Sequence, residues 1–226
     1  MSPIRPAISL TPRQIGLLAA LTPVWFWAVY AVMAALRPEF SHLTDAVSEL
    51  GSVGAPRAWA WNVLGYVLPG LAVSLLGLGL RQAFGDDRRV RLPAYALVVA
   101  GAFITLSGVF PGDFEDRTSF TMWMHTAGSL LSFPAFLVAG FSLPRVLRAR
   151  AASRWAVWPS LALVVSSVLT GVLRSGATPG LGQRLGFACV FLWVGLVGLV
   201  LLRAGQGRRT FEHGGALQRG TPNPSV

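Results

Sequence analysis

Apolar and polar positions along the chain form six long apolar stretches separated by short polar connections. The stretches run over residues 15–36, 59–80, 92–110, 120–141, 155–173 and 183–202. A helix crosses the hydrocarbon core of a bilayer with about 20 apolar residues, so each stretch is long enough. None alternates apolar and polar residues with period two, as the strands of a membrane barrel do. A helix also closes its backbone hydrogen bonds within one segment, which lipid cannot do for it. The pattern predicts an all-α fold: a polytopic membrane helical bundle with six transmembrane helices over residues 15–204. Residues 1–14 form a short lead. Residues 205–226 are rich in Gly, Arg and Pro and lack apolar periodicity, so this tail is expected to be disordered. The first stretch exceeds the 7–15 residues of a signal-peptide core and is read as a retained helix.

Composition supports the membrane class. The chain is 53% hydrophobic and 12% charged, against about 25% charged in soluble domains, and its mean hydropathy is +0.57. A formal charge of +10 would suggest nucleic acid, but its distribution points elsewhere. Every basic residue is Arg, and 14 of the 19 lie in the lead, the second and fourth connections and the residues after the sixth stretch. Six of the nine acids lie in the first and third connections. Positive residues flanking spans set orientation and attract anionic headgroups. Both termini are therefore expected in the cytoplasm of a multi-pass cell-membrane protein, N-in and C-in. Its expected partners are membrane lipids and not nucleic acid; oligomeric state is left open.

Cys189 is the only cysteine, so an intrachain disulfide or a cysteine metal cluster is ruled out. Within the last stretch it reads as a small packing residue. Gly, Ser and Thr recur at helical spacing through the middle spans, which lets helices approach closely in lipid. His125 shares such a stripe with Thr121, Gly128, Ser129 and Ser132 and is placed towards the bundle interior.

Candidate chemistry gathers in the acid-rich connections. In the first, Leu43, Ala46, Val47 and Leu50 follow the spacing of a short amphipathic helix. Ser41 can cap its start and Gly51 suits the position past its end. His42, Asp45 and Glu49 fall together on another face. Asp45 and Glu49, four residues apart, would repel unless an Arg, a metal or a shared proton relieved them. In the third connection the turn signal Pro111-Gly112-Asp113 directly follows a span, so Asp113 and Asp116 reach the same surface. His125 is expected one to two turns below them. Arg174 closes the fifth span and Arg184 opens the sixth at that level. Carboxylates, a partly buried His and two guanidinium groups can converge there, at the outer leaflet, where ionisable groups face protein or water.

The run Asp45-Ala46-Val47-Ser48-Glu49-Leu50-Gly51 is followed by Pro56 and Asn62, then Phe110-Pro111-Gly112-Asp113, His125 and Gly182-Gln183-Arg184. Together they resemble the bacterial and archaeal membrane family called domain of unknown function 998. The resemblance implies a six-span membrane protein and supports Ser48, Glu49, Asp113 and His125 as site residues; it implies no activity. A more distant comparison is with the ceramidase and adiponectin-receptor group of intramembrane metal hydrolases, which place several His around zinc. Here only His42 and His125 lie near the outer face, so a three-His zinc site is excluded within one chain. A site of His42, Asp45 and His125 remains, since zinc accepts carboxylate oxygen. The chain has no H-E-x-x-H motif and no nucleotide or haem signal.

Three functions fit. An enzyme acting on a lipid or other amphiphile would use Glu49 or Asp113 as general base and His125 as its acid/base partner or metal ligand. Ser48, Asn62, Arg174 and Arg184 would hold the substrate, with or without a divalent metal. A non-catalytic protein could use the same pocket to bind a lipid headgroup or a partner. A small transporter is less favoured, because transporter sites lie near the bilayer midplane and these spans carry no central charge.

Overall fold

The computed structural model describes residues 10–85, 87–174 and 177–218, with their side chains as far as Ala204 except that of Arg174. Among the described residues six helices are long and apolar enough to cross a membrane, so the spans predicted from the pattern are all present. They are α1 Pro12–Ala35, α2 Ala58–Phe84, α3 Arg88–Val109, α4 Phe120–Arg148, α5 Val157–Arg174 and α6 Pro179–Gln218. A 3-10 segment, Ala151–Ala156, leads into α5, and the apolar part of α6 ends at Ala204.

Caps explain why several helices start where they do. Thr11 and Gln14 form a reciprocal capping box before Pro12, whose missing N–H costs nothing at the first helical position. Asp87 Oδ1 accepts the Arg89 N–H at the start of α3. Ser119 Oγ accepts the Met122 N–H at the start of α4. Each satisfies a donor that the helix itself cannot.

The helices pack in a ring in chain order, with α1 closing against α6 and α5 resting on α6 more than on α4. Small residues set the tightest crossings. A Cβ on Gly101 would run into the main chain of Gly70 and Ser74, and one on Gly198 into that of Ala20 and Gly16. The start of α1 therefore lies beside the end of the apolar part of α6. Leu76, Leu80, Leu97, Leu143, Leu147, Trp193 and Leu201 fill one core. A second cluster joins Phe26, Tyr30, Trp61 and Phe191 to Phe40, Val47 and Leu50 of the first connection.

Two local departures from regular helix shape the end that carries the acid-rich connections. Within α2, residues Asn62–Val67 form a π-helical turn. Pro69 follows it and lacks the N–H that would bond the Gly65 carbonyl, which favours a widened turn there. The Leu64 carbonyl in this turn accepts the Trp25 indole N–H at 2.9 Å. The first connection also differs from the amphipathic helix its spacing suggests. One α-type turn closes from the Asp45 N–H to the Ser41 carbonyl, Ala46 is then extended (φ −71°, ψ 144°), and a 3-10 segment covers Val47–Gly51. Glu49 Oε1 captures the Ala46 N–H at 2.8 Å, so a local side-chain bond interrupts the continuous helix.

Candidate functional site

The first connection is clasped onto the start of α6. Leu181 N–H donates to the Leu43 carbonyl at 3.1 Å, and Val47 N–H donates to Gln183 Oε1 at 2.6 Å. Arg184 completes the clasp. Its Nε–H donates to the Tyr30 hydroxyl at 2.5 Å, and its two terminal nitrogens donate to the Asp45 and Ser41 carbonyls at 2.9 and 3.4 Å. The guanidinium also lies 5.4 and 5.1 Å from the ring centroids of Tyr30 and Phe40. Only 6% of Arg184 is exposed, and among the described residues no carboxylate pairs with it. The charge is met by carbonyl dipoles, a phenol and two ring faces. Since the Tyr30 oxygen accepts from Arg184, its own proton is free for His42 Nδ1, 2.5 Å away.

The candidate carboxylates mainly hold their own loops. Asp45 accepts from the Ser41 N–H at 2.9 Å and the Thr44 hydroxyl at 3.0 Å. Glu49 caps Ala46, while Arg37 bonds the Glu49 carbonyl at 2.7 Å. Asp113 accepts the Asp116 N–H at 2.9 Å. Asp116 takes the hydroxyl and N–H of Thr118, and these bonds hold its carboxyl below the usual carboxylate range. Val53 N–H ties the first connection to the third through the Gly112 carbonyl.

His125 is buried, as its stripe predicts, and it joins two helices. Its Nδ1 lies 2.9 Å from the Ser107 carbonyl and 3.1 Å from that of Phe110. Carbonyls only accept, so Nδ1 carries the proton. These are end carbonyls of α3, which its own helix leaves unpaired. Ser107 returns a bond from its hydroxyl to the His125 carbonyl at 3.2 Å. Asn62 likewise pins the first connection, its Nδ2 donating to the Gly51 carbonyl at 2.8 Å. Ser48 is buried beside Val47. The Arg174 side chain lies outside the described residues. Thus His42, Asp45 and Arg184 meet in the clasp, whereas His125 belongs to the α3–α4 contact. Among the described residues no three His, Cys, Asp or Glu side chains gather around a point that could hold a metal.

Between α4, α5 and α6, beside the clasp, lies a cleft of about 140 Å³. Phe133 and Phe136 of α4, Phe187 and Phe191 of α6 and Tyr66 of the π turn line it with rings. Five hydroxyls share the lining: Ser107, Ser129, Ser132, Ser167 and Thr170. Their protons are largely committed. Ser132, Ser167 and Thr170 donate to carbonyls of their own helices at 2.7–2.9 Å. Ser107 donates to carbonyls and shares a 3.2 Å bond with Ser129. Each hydroxyl keeps lone pairs, so the cleft presents chiefly acceptors. Gln183 lines it too, and with its Oε1 accepting from Val47 its amide NH2 is left to donate. Among the described residues no Asp, Glu, His, Lys or Arg lines it. Sequence reasoning missed Tyr30, Tyr66, Ser107 and Gln183 as a set. Its usable signal was a polar tip on an otherwise apolar span, which needs a partner when buried.

No characterised protein and no solved structure matches the chain significantly. The clasp and the cleft both lie within residues 20–200, the stretch matched by the family model described as protein of unknown function (DUF998), and over that length the chain belongs to this family.

Proposed function

We propose that the protein binds an uncharged, hydroxyl-bearing amphiphile in the α4–α5–α6 cleft without transforming it. The observation that carries this reading is the cleft's lining: hydroxyl acceptors and phenyl rings, with no charged side chain among the described residues. An ionic headgroup placed there would lose hydration without a counter-charge. A hydroxyl headgroup would donate to Ser or Thr oxygens and accept from the Gln183 amide. Val168 and Gly171 are exposed along the α5 side, which gives an acyl or alkyl tail a way into lipid. With the acid-rich end facing outwards, as the Arg distribution suggests, the headgroup would sit in the outer leaflet. Acid–base catalysis through Glu49, Asp113 and His125 would require those groups to leave their loop and helix-end partners, which favours binding over chemistry.

A fluorescent diacylglycerol titrated against the purified protein in lipid nanodiscs tests this. Binding should saturate, and hexadecanol should displace the probe better than phosphatidic acid does. A Cβ on Gly171 would meet open space, so Gly171→Trp should fill the cleft and weaken binding at least about tenfold with the unfolding midpoint preserved. Wild-type binding by Gly171→Trp, or equal displacement by phosphatidic acid, would sink the proposal. Release of fatty acid from the probe would instead favour the enzyme.

A further inference from the structure

We propose that the opposite, Arg-rich end carries a site for the phosphate headgroup of an anionic phospholipid, built by Arg148, Arg154 and Arg203 around Trp155 and Trp158. The site is independent of the cleft. Arg203, near the end of the apolar part of α6, places its guanidinium carbon 4.3 Å from the Trp155 ring centroid. Arg148, the last residue of α4, lies 5.9 Å from the Trp158 ring. Arg154 stands between them in sequence, with its Nε–H on the Arg148 carbonyl at 3.1 Å. Trp155 and Trp158 are three residues apart, so their side chains are neighbours on one helical face.

The arrangement differs from the structural arginine of the same connection. Arg150 is half-buried, donates to the Phe84 carbonyl at 3.2 Å and lies 3.9 Å from the Asp87 carboxylate. Arg148, Arg154 and Arg203 are exposed, and among the described residues none pairs with a carboxylate. A guanidinium held against an indole keeps its edge donors available and loses little freedom on binding a phosphate. Trp155 and Trp158 are 39% and 72% exposed. Indoles exposed at a span end favour the headgroup layer, where lipid phosphates lie. Three cations that no carboxylate of the described residues pairs, and two interfacial rings, at one helix junction complement a negatively charged lipid headgroup. A zwitterionic headgroup also carries phosphate, but its ammonium group would meet three cations.

Native mass spectrometry of the detergent-solubilised full chain, titrated with dioleoylphosphatidylglycerol or dioleoylphosphatidylcholine, tests the site. Phosphatidylglycerol should bind at concentrations several-fold below those needed for phosphatidylcholine. Arg148→Gln/Arg203→Gln should weaken phosphatidylglycerol binding about tenfold, since each charge near an anionic lipid contributes appreciably. The charge-matched Arg88→Gln/Arg89→Gln variant should stay within about twofold of wild type. All four positions are exposed, and unchanged unfolding midpoints would show that both variants fold. Equal losses in the two variants would mean generic charge attraction and overturn the site. Equal binding of the two lipids would do the same. Displacement by millimolar inorganic phosphate would reassign the site to the free anion.

Discussion

Arg184 holds the first connection through bonds to a phenol and two main-chain carbonyls, and that choice of partners sets how substitutions there should behave. Removing the guanidinium breaks all three bonds and takes from the half-buried Asp45 carbonyl its side-chain donor, a loss of about 3 kcal/mol for charge-assisted bonds of this kind. Arg184→Ala should therefore lower the unfolding midpoint clearly, and Arg184→Lys should not restore it, because an ammonium cannot reproduce the fork. Asp45→Asn should cost less than about 1 kcal/mol, since Arg184 takes the Asp45 carbonyl and an amide oxygen can still accept from Ser41. Unfolding of the three variants in detergent checks the order. A larger loss from Asp45→Asn would show that the carboxylate, and not the main chain, is what matters. Sequence placed Arg184 at the correct level of the bundle and gave it a headgroup to hold. Main-chain partners leave no signature in residue identity, so the clasp could not be foreseen.

At the scale of elements, the glycines divide into those that set a crossing and those that face open space. A side chain on Gly101 would strike the α2 main chain, which cannot swing aside as a flexible side chain can. Gly101→Val should force α2 and α3 apart, and overpacking of this kind costs about 1–3 kcal/mol. Gly171→Ala meets no atom and should be neutral or stabilising by up to about 1 kcal/mol, because Ala is the better helix former. Unfolding midpoints of the two variants, measured side by side, give the comparison. If Gly101→Val unfolds like wild type, the close α2–α3 approach is wrong. Small-residue stripes were readable as packing surfaces, but which glycine touches a neighbour depends on how each helix is rotated. The first connection shows a related limit. The spacing of Leu43, Ala46, Val47 and Leu50 fits a helix, and Glu49 ends that continuity by bonding one N–H at Ala46.

For the whole molecule, orientation is the expectation with the widest consequences. On a Cys189→Ser background, a thiol at Glu115 should react with an impermeant reagent added to intact cells, and one at Arg89 should react only after lysis. Both positions are exposed, at opposite ends of the bundle. The reverse pattern would invert the topology and move the cleft to the inner leaflet. The chain by itself determined six spans and the separation of Arg-rich from acid-rich ends, because lipid demands long apolar helices and charge stays outside them. It also marked His125 as interior. Only the tertiary structure decided what the polar groups do: His125 on the end carbonyls of α3, Arg184 on the first connection, and Ser and Thr oxygens from three helices around one cleft. Burial in lipid is a property of composition along one segment, whereas a site depends on which faces of separate helices meet, and in lipid that is settled by close packing between them.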